Sequence, residues 1–169
     1  MFPKDNVNLV DMILGVDTIP IIIEKEHIVD CCIRGYHVYQ RNVWDTNIEG
    51  KLEVCHETRA AALVADKYAM ALKLDGKTIG HIPMFLSKIA YFFLKNGGTL
   101  EVEINGPRQY SRDLDQGGLE LPCTYRFLTS DENMHKKVVS MVDKAMEGYH
   151  LKVENNEEKK KKKKKKKDV

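Results

Sequence analysis

Apolar and polar positions change their period along this chain, and the changes predict its elements. The run "HIVDCCIRGYHVY", starting near Ile28, is apolar and β-branched, which predicts a strand; Gly35 inside it predicts a bulge or a close backbone approach. "KLEVCHE" alternates Leu52, Val54 and His56 against Glu53 and Cys55, the period of a half-buried strand. "TRAAALVA" fits one helical turn or a packed loop, because alanine is permissive in helices and small enough for backbones to approach. "KYAMALKL" and "KTIGHIP" are alternating runs joined by Asp75–Gly76, a dipeptide that tolerates the positive φ angles of a tight hairpin turn.

The period then lengthens. "MFLSKIAYFFLKN" puts Phe85, Leu86, Ile89, Phe92, Phe93 and Leu94 on a wide helical face, with Gly97–Gly98 as a stop, which predicts a core helix over 84–96. "TLEVEING" returns to alternation, with Leu100, Val102 and Ile104 inward and glutamates outward. A polar, Gly-ended loop, "PRQYSRDLDQGG", leads to "LELPCTYRFLTS", a strand with Leu119, Leu121, Cys123, Tyr125 and Phe127 on one side. Ser130 is a suitable N-cap for an amphipathic helix whose stripe is Met134, Val138, Met141, Val142 and Ala145, ending near Gly148.

These elements predict a mainly β protein with helices (α+β): a small OB-like or SH3-like β-barrel over 29–130, with one core helix. A C-terminal amphipathic helix over 131–150 follows. Residues 1–28 read as an N-terminal arm with a short helix in "NLVDMIL" and a strand in "IPIIIEK". Residues 151–169 are low-complexity charge and are expected to be disordered.

Charge changes this picture more than composition does. The chain of 169 residues is 43% hydrophobic and 31% charged, as ordinary globular domains are, and it has a net charge of +2. Nine of its 27 basic residues form the lysine run 159–167, so residues 1–158 hold 18 basic against 24 acidic side chains, a net −6. A body of that sign does not present a basic surface on average, although a local basic patch is compatible with it. The lysine run reads as a nuclear-import signal, as an arm adding salt-sensitive affinity for nucleic acid, or as a plain solvated tail. No apolar run approaches the roughly 18–20 residues that span a bilayer, and the start of the chain has no secretory pattern. The expectation is an intracellular protein with no membrane partner, nuclear if the lysine run acts as an import signal.

Cys31, Cys32, Cys55 and Cys123 lie in strand-like contexts without the close pairing of structural zinc sites, so they read as buried thiols. There is no phosphate-binding glycine loop, metalloprotease helix motif or dinucleotide fingerprint, and neighbouring Cys55 and His56 on a strand point to opposite faces. Asp113 and Asp115 read as solvated loop carboxylates. The expectation is a non-catalytic protein without a metal or cofactor.

The hairpin "ADKYAMALKL…GKTIGHIP", its Gly80–His81–Ile82–Pro83 junction and the hydrophobic helix after it resemble the HIRAN domain. So do "IRGYHVYQRNVW", Asp66–Lys67–Tyr68–Ala69, and the closing sequence of polar loop, Leu121–Pro122 and aromatic strand; together they cover about residues 30–130. The resemblance implies a small barrel related to OB-folds that binds single-stranded DNA and holds its 3′-hydroxyl end in a pocket. Carried over by position, it implies that Arg41, with Trp44 nearby, Asp66 and His81 form the site. An aspartate accepts a hydrogen bond from a terminal hydroxyl, a ring stacks on a base, and cations hold phosphates. Each residue also has a structural reading. Asp66 can cap the "TRAAALVA" turn, Arg41 can be a solvated strand-edge residue, and His81 can hydrogen-bond backbone where Pro83 starts the helix. The other expectation for the whole domain is a diverged interaction module for an unidentified protein.

Overall fold

The computed structural model of this chain describes residues 22–35, 48–115 and 117–169. It is a mixed α+β protein. The chain runs through β1 (Lys25–Ile33), β2 (Gly50–His56), α1 (Ala60–Ala65), β3 (Met70–Leu74) and β4 (Lys77–His81). It continues through α2 (Met84–Lys95), β5 (Thr99–Ile104), β6 (Gln109–Tyr110), β7 (Leu119–Thr129) and α3 (Glu132–Lys167). Seven strands pair antiparallel in the order β1-β7-β5-β2-β3-β4, with β6 on β7.

Two strands hold this sheet together. β7 pairs with β1 on one side and with β5 on the other, so its inward side chains Leu121, Cys123, Tyr125 and Phe127 sit at the centre of the core. β2 changes partner partway: Gly50 to Leu52 pair with β5, and Glu53 to His56 pair with β3. The β3–β4 hairpin turns at Asp75 (φ 50°) and Gly76 (φ 80°), as the Asp–Gly dipeptide predicts.

α2 lays Leu86, Ala90 and Phe93 on the sheet, and Gly97 (φ 94°) ends the chain's helical course there. α3 adds Val138, Val142, Met146, Tyr149 and Val153 to the same core. Phe92, expected inside, is 38% exposed, because the helix is wider in apolar residues than the face it buries.

The sheet does not close into a barrel. Its edge strands β1 and β4 approach each other at a single isolated bridge, where Arg34 and His81 exchange both backbone hydrogen bonds, at 3.0 and 2.8 Å. Among the described residues this is the one bridge between β1 and β4; Gly35 (φ 116°) follows it on one side, and Pro83, which has no N–H to donate to a longer ladder, follows on the other. The approach itself requires Gly80: a Cβ there would lie 2.5 Å from Ile33 Cγ2 and 2.6 Å from the Arg34 carbonyl oxygen.

Three boundary expectations are corrected. β1 starts at Lys25, inside the segment expected to be an arm, because Lys25 to Ile28 continue its register on β7. The N-cap of α3 is Asp131, whose side chain accepts from the Met134 N–H at 2.9 Å, rather than Ser130. The C-terminal segment is helical through Lys167 instead of ending near Gly148 with a disordered tail. Val153 and Asn156 are buried, Asn156 donates to the Arg112 carbonyl (3.2 Å), and Arg112 pairs with Glu157 (2.9 Å). The loop before β7 therefore holds the helix beyond Gly148, as far as Glu157. No helix among the described residues is long and apolar enough to cross a membrane.

Candidate functional site

His81, the last residue of β4, is held from two directions. Its backbone makes the bridge to Arg34, and its ring Nε2 donates to the buried carboxylate of Glu57, Oε2. Glu57 follows β2 directly, and its other oxygen accepts the backbone N–H groups of Thr58 and Arg59, both at 2.9 Å. Burial pushes this carboxyl up, but the His81 hydrogen bond and the two N–H donors outweigh it and hold Glu57 down at about 2. It is ionised at neutral pH, and it orients the His81 ring while tying down the start of α1.

Asp66 ends α1. Its Oδ1 accepts the Tyr68 N–H at 2.9 Å, and its Oδ2 accepts the hydroxyl of buried Ser87 on α2 at 2.5 Å. The first contact is a common aspartate turn; the second staples the turn to the helix. An ionised carboxylate has about four acceptor positions, so two contacts leave capacity for a further donor.

Arg34 leaves the end of β1 and reaches inward. Its Nη2 donates to Asp113 at 2.5 Å, its Nε lies 3.8 Å from Glu120, and the guanidinium carbon sits 5.4 Å from the centre of the Phe85 ring. Asp113, expected to be solvated, is instead buried and also accepts from Ser111 at 3.1 Å. Burial pushes the Glu120 carboxyl up, against the hydrogen bond from Cys32 and the charge of Arg34.

Arg34, Arg59, Asp66 and His81 all line one cleft of about 540 Å³, walled by Ala61, Ala62, Ala65, Ala69, Ile82, Pro83 and Met84. Two of the four residues expected from the sequence, Asp66 and His81, are thus brought together; Arg41 and Trp44 lie outside the described residues. Arg34 and Arg59 also line the cleft; the Arg34 guanidinium is turned to Asp113 and Glu120, and that of Arg59 is half exposed with its Nε 3.7 Å from Glu57. The described lining offers charge, hydrogen-bonding groups and apolar walls.

Sequence reading missed Glu57, Arg34 and Arg59. Glu57 looks like another wet-face glutamate in "LEVCHE", and its only signal is its place three residues before a helix. Arg34 is one step from a glycine that breaks the strand, and the residue it meets is 79 positions away.

The cysteines have structural places: Cys31 stands opposite Cys123 in the β1–β7 register, and Cys55 lies against the Ala71 carbonyl. Contact with Cys31 and burial push the Cys32 thiol up, and burial does the same at Cys123. Among the described residues no group of three or more histidine, cysteine or acidic side chains is placed to hold a metal. Comparison with known protein families, curated proteins and solved structures finds no match to this chain.

Proposed function

We propose that this domain is a non-catalytic module that binds single-stranded nucleic acid, with a strand end seated in the cleft of Asp66 and His81. The observation that carries this reading is the convergence of Asp66, His81, Arg34 and Arg59 on one cleft of about 540 Å³. A carboxylate with spare acceptor capacity suits a terminal hydroxyl. The half-exposed guanidinium of Arg59 suits a phosphate, and the alanine and proline walls suit a sugar.

The HIRAN resemblance and an OB-like ancestry belong to the same proposal. What supports them is the strand path that brings β1 and β4 together at Arg34 and His81, with the Gly-His-Ile-Pro stretch forming that seam. On this reading the fold is an OB-type barrel left open between its edge strands. The lysines at the end of α3 act as a sequence-independent arm, and a nuclear location is part of the proposal.

The test is an anisotropy titration of the full chain with single-stranded DNA carrying a free or a phosphate-blocked 3′ end, at near-physiological salt. Tighter binding to the free end, weakened by Arg59→Ala and Asp66→Ala, is expected. Affinity indifferent to the end, and lost when lysines 159–167 are replaced by glutamine, would leave the arm as the sole contact and transfer the reading to a protein-interaction module.

A further inference from the structure

Outside the cleft, aromatic rings and lysines gather beside α2. Along the sequence from Thr58 to Thr99 six lysines and arginines stand against two carboxylates; one of the six, Arg59, belongs to the cleft and pairs with Glu57. Of those two, Asp66 belongs to the cleft, where it accepts from Tyr68 and Ser87, and Asp75 lies in the β3–β4 turn.

Four rings form a continuous patch there. His56, at the end of β2, lies 4.9 Å from Tyr91 on α2, centre to centre; Tyr68 lies 5.2 Å from Tyr91 and 5.3 Å from Phe92. His56 and Phe92 are exposed, Tyr68 and Tyr91 half-buried. Three exposed lysines surround them: Lys67 and Lys88 stand 5.0 and 5.5 Å from the Tyr68 ring centre, and Lys95 stands 5.7 Å from that of Tyr91. The patch adjoins the cleft through Tyr68, whose N–H is bound by Asp66.

We infer that Tyr68, Tyr91 and Phe92, with Lys67, Lys88 and Lys95, form a platform on which the bases of a single strand stack after its end has entered the Asp66 cleft. This rests on the nucleic-acid reading above and extends it from an end to a track. The charge favours a polyanion, and the rings favour a polyanion that carries π faces. Lysines already poised over tyrosine rings leave the rings to bases by swinging to the phosphates, giving up an exposed cation–π contact for a charge pair.

The experiment titrates the full chain with 5′-labelled oligothymidylates of increasing length. Tyr68→Leu and Tyr91→Leu should weaken the longer oligonucleotides about 5- to 140-fold, the range for losing one base–aromatic stack, and leave the shortest unaffected. Tyr91→Phe should bind like the parent, because it keeps the ring. In the unaltered chain, a thymidylate oligomer substituted with 4-thiothymidine should photocrosslink to Tyr68, Tyr91 or Phe92, a readout that needs no variant to fold.

Leucine variants that bind like the parent, with crosslinks elsewhere, would overturn the platform. If Arg59→Ala still weakened binding in that case, the cleft reading would stand without it. A chain whose affinity vanished with the lysine run would overturn both. Displacement by polyglutamate as effective as by oligothymidylate would show that charge alone acts, and would also overturn the platform.

Discussion

The ring of His81 rests on the buried carboxylate of Glu57, 24 residues earlier in the chain, and this one contact joins β4 to the start of α1. It positions the ring at the cleft and makes Glu57 a structural ion. Because Glu57 is held at about 2, below its ordinary 4.5, its stabilising contribution is fully present above about pH 4.5 and is lost as the pH falls towards 2. Urea midpoints at pH 7, 4.5 and 3 should therefore fall more steeply for the parent than for Glu57→Gln. Parallel profiles would show that the carboxylate carries no such linkage.

Gly80 should be irreplaceable where Gly148 is not. The Cβ of Gly80→Ala would press on Ile33 and the Arg34 carbonyl, so the β1–β4 bridge must shift, at about 1–3 kcal/mol. Gly148 lies within α3 with nothing within 4 Å of an added Cβ, so Gly148→Ala should stabilise by up to about 1 kcal/mol. Thermal melts of the two variants should move in opposite directions.

Arg34 and Arg112 offer a second contrast. Arg34→Ala would strip the partner from buried Asp113 and Glu120, an expected loss of about 3–5 kcal/mol. Arg112 and Glu157 are both about half exposed and screened by water, so Arg112→Ala should cost far less than Arg34→Ala. Denaturant titration of both variants measures the difference directly.

Asp66→Ala removes acceptors from the Tyr68 N–H and the Ser87 hydroxyl, and should destabilise by about 1–3 kcal/mol. Ser87 retains the Met84 carbonyl at 3.1 Å, so the helix start should survive. A folded, slightly less stable Asp66→Ala protein is therefore expected, which keeps its binding titration interpretable. A wholly unfolded variant would show that the staple carries more than two hydrogen bonds.

Local pattern determined much of this protein. The Asp75–Gly76 turn, the alternation of β5 and the glycine stop after α2 follow from φ preferences and side-chain period, which act over a few residues. Asp66 and His81 became site candidates only through the family resemblance of the segments around them; local pattern by itself read both as structural residues at a turn and a junction. Tertiary structure alone decided what those residues touch. Glu57 reached His81, Arg34 reached Asp113 and Glu120, and Tyr68 met Tyr91 because separate strands and helices crossed there. The length of α3 was decided in the same way: "ENNEE" reads as a solvated tail until the loop before β7 covers Val153 and Asn156. A side chain's period reports which face it occupies, but its partner depends on the long-range approach of another segment, and the energy of burial and pairing that selects the approach is a property of the whole fold.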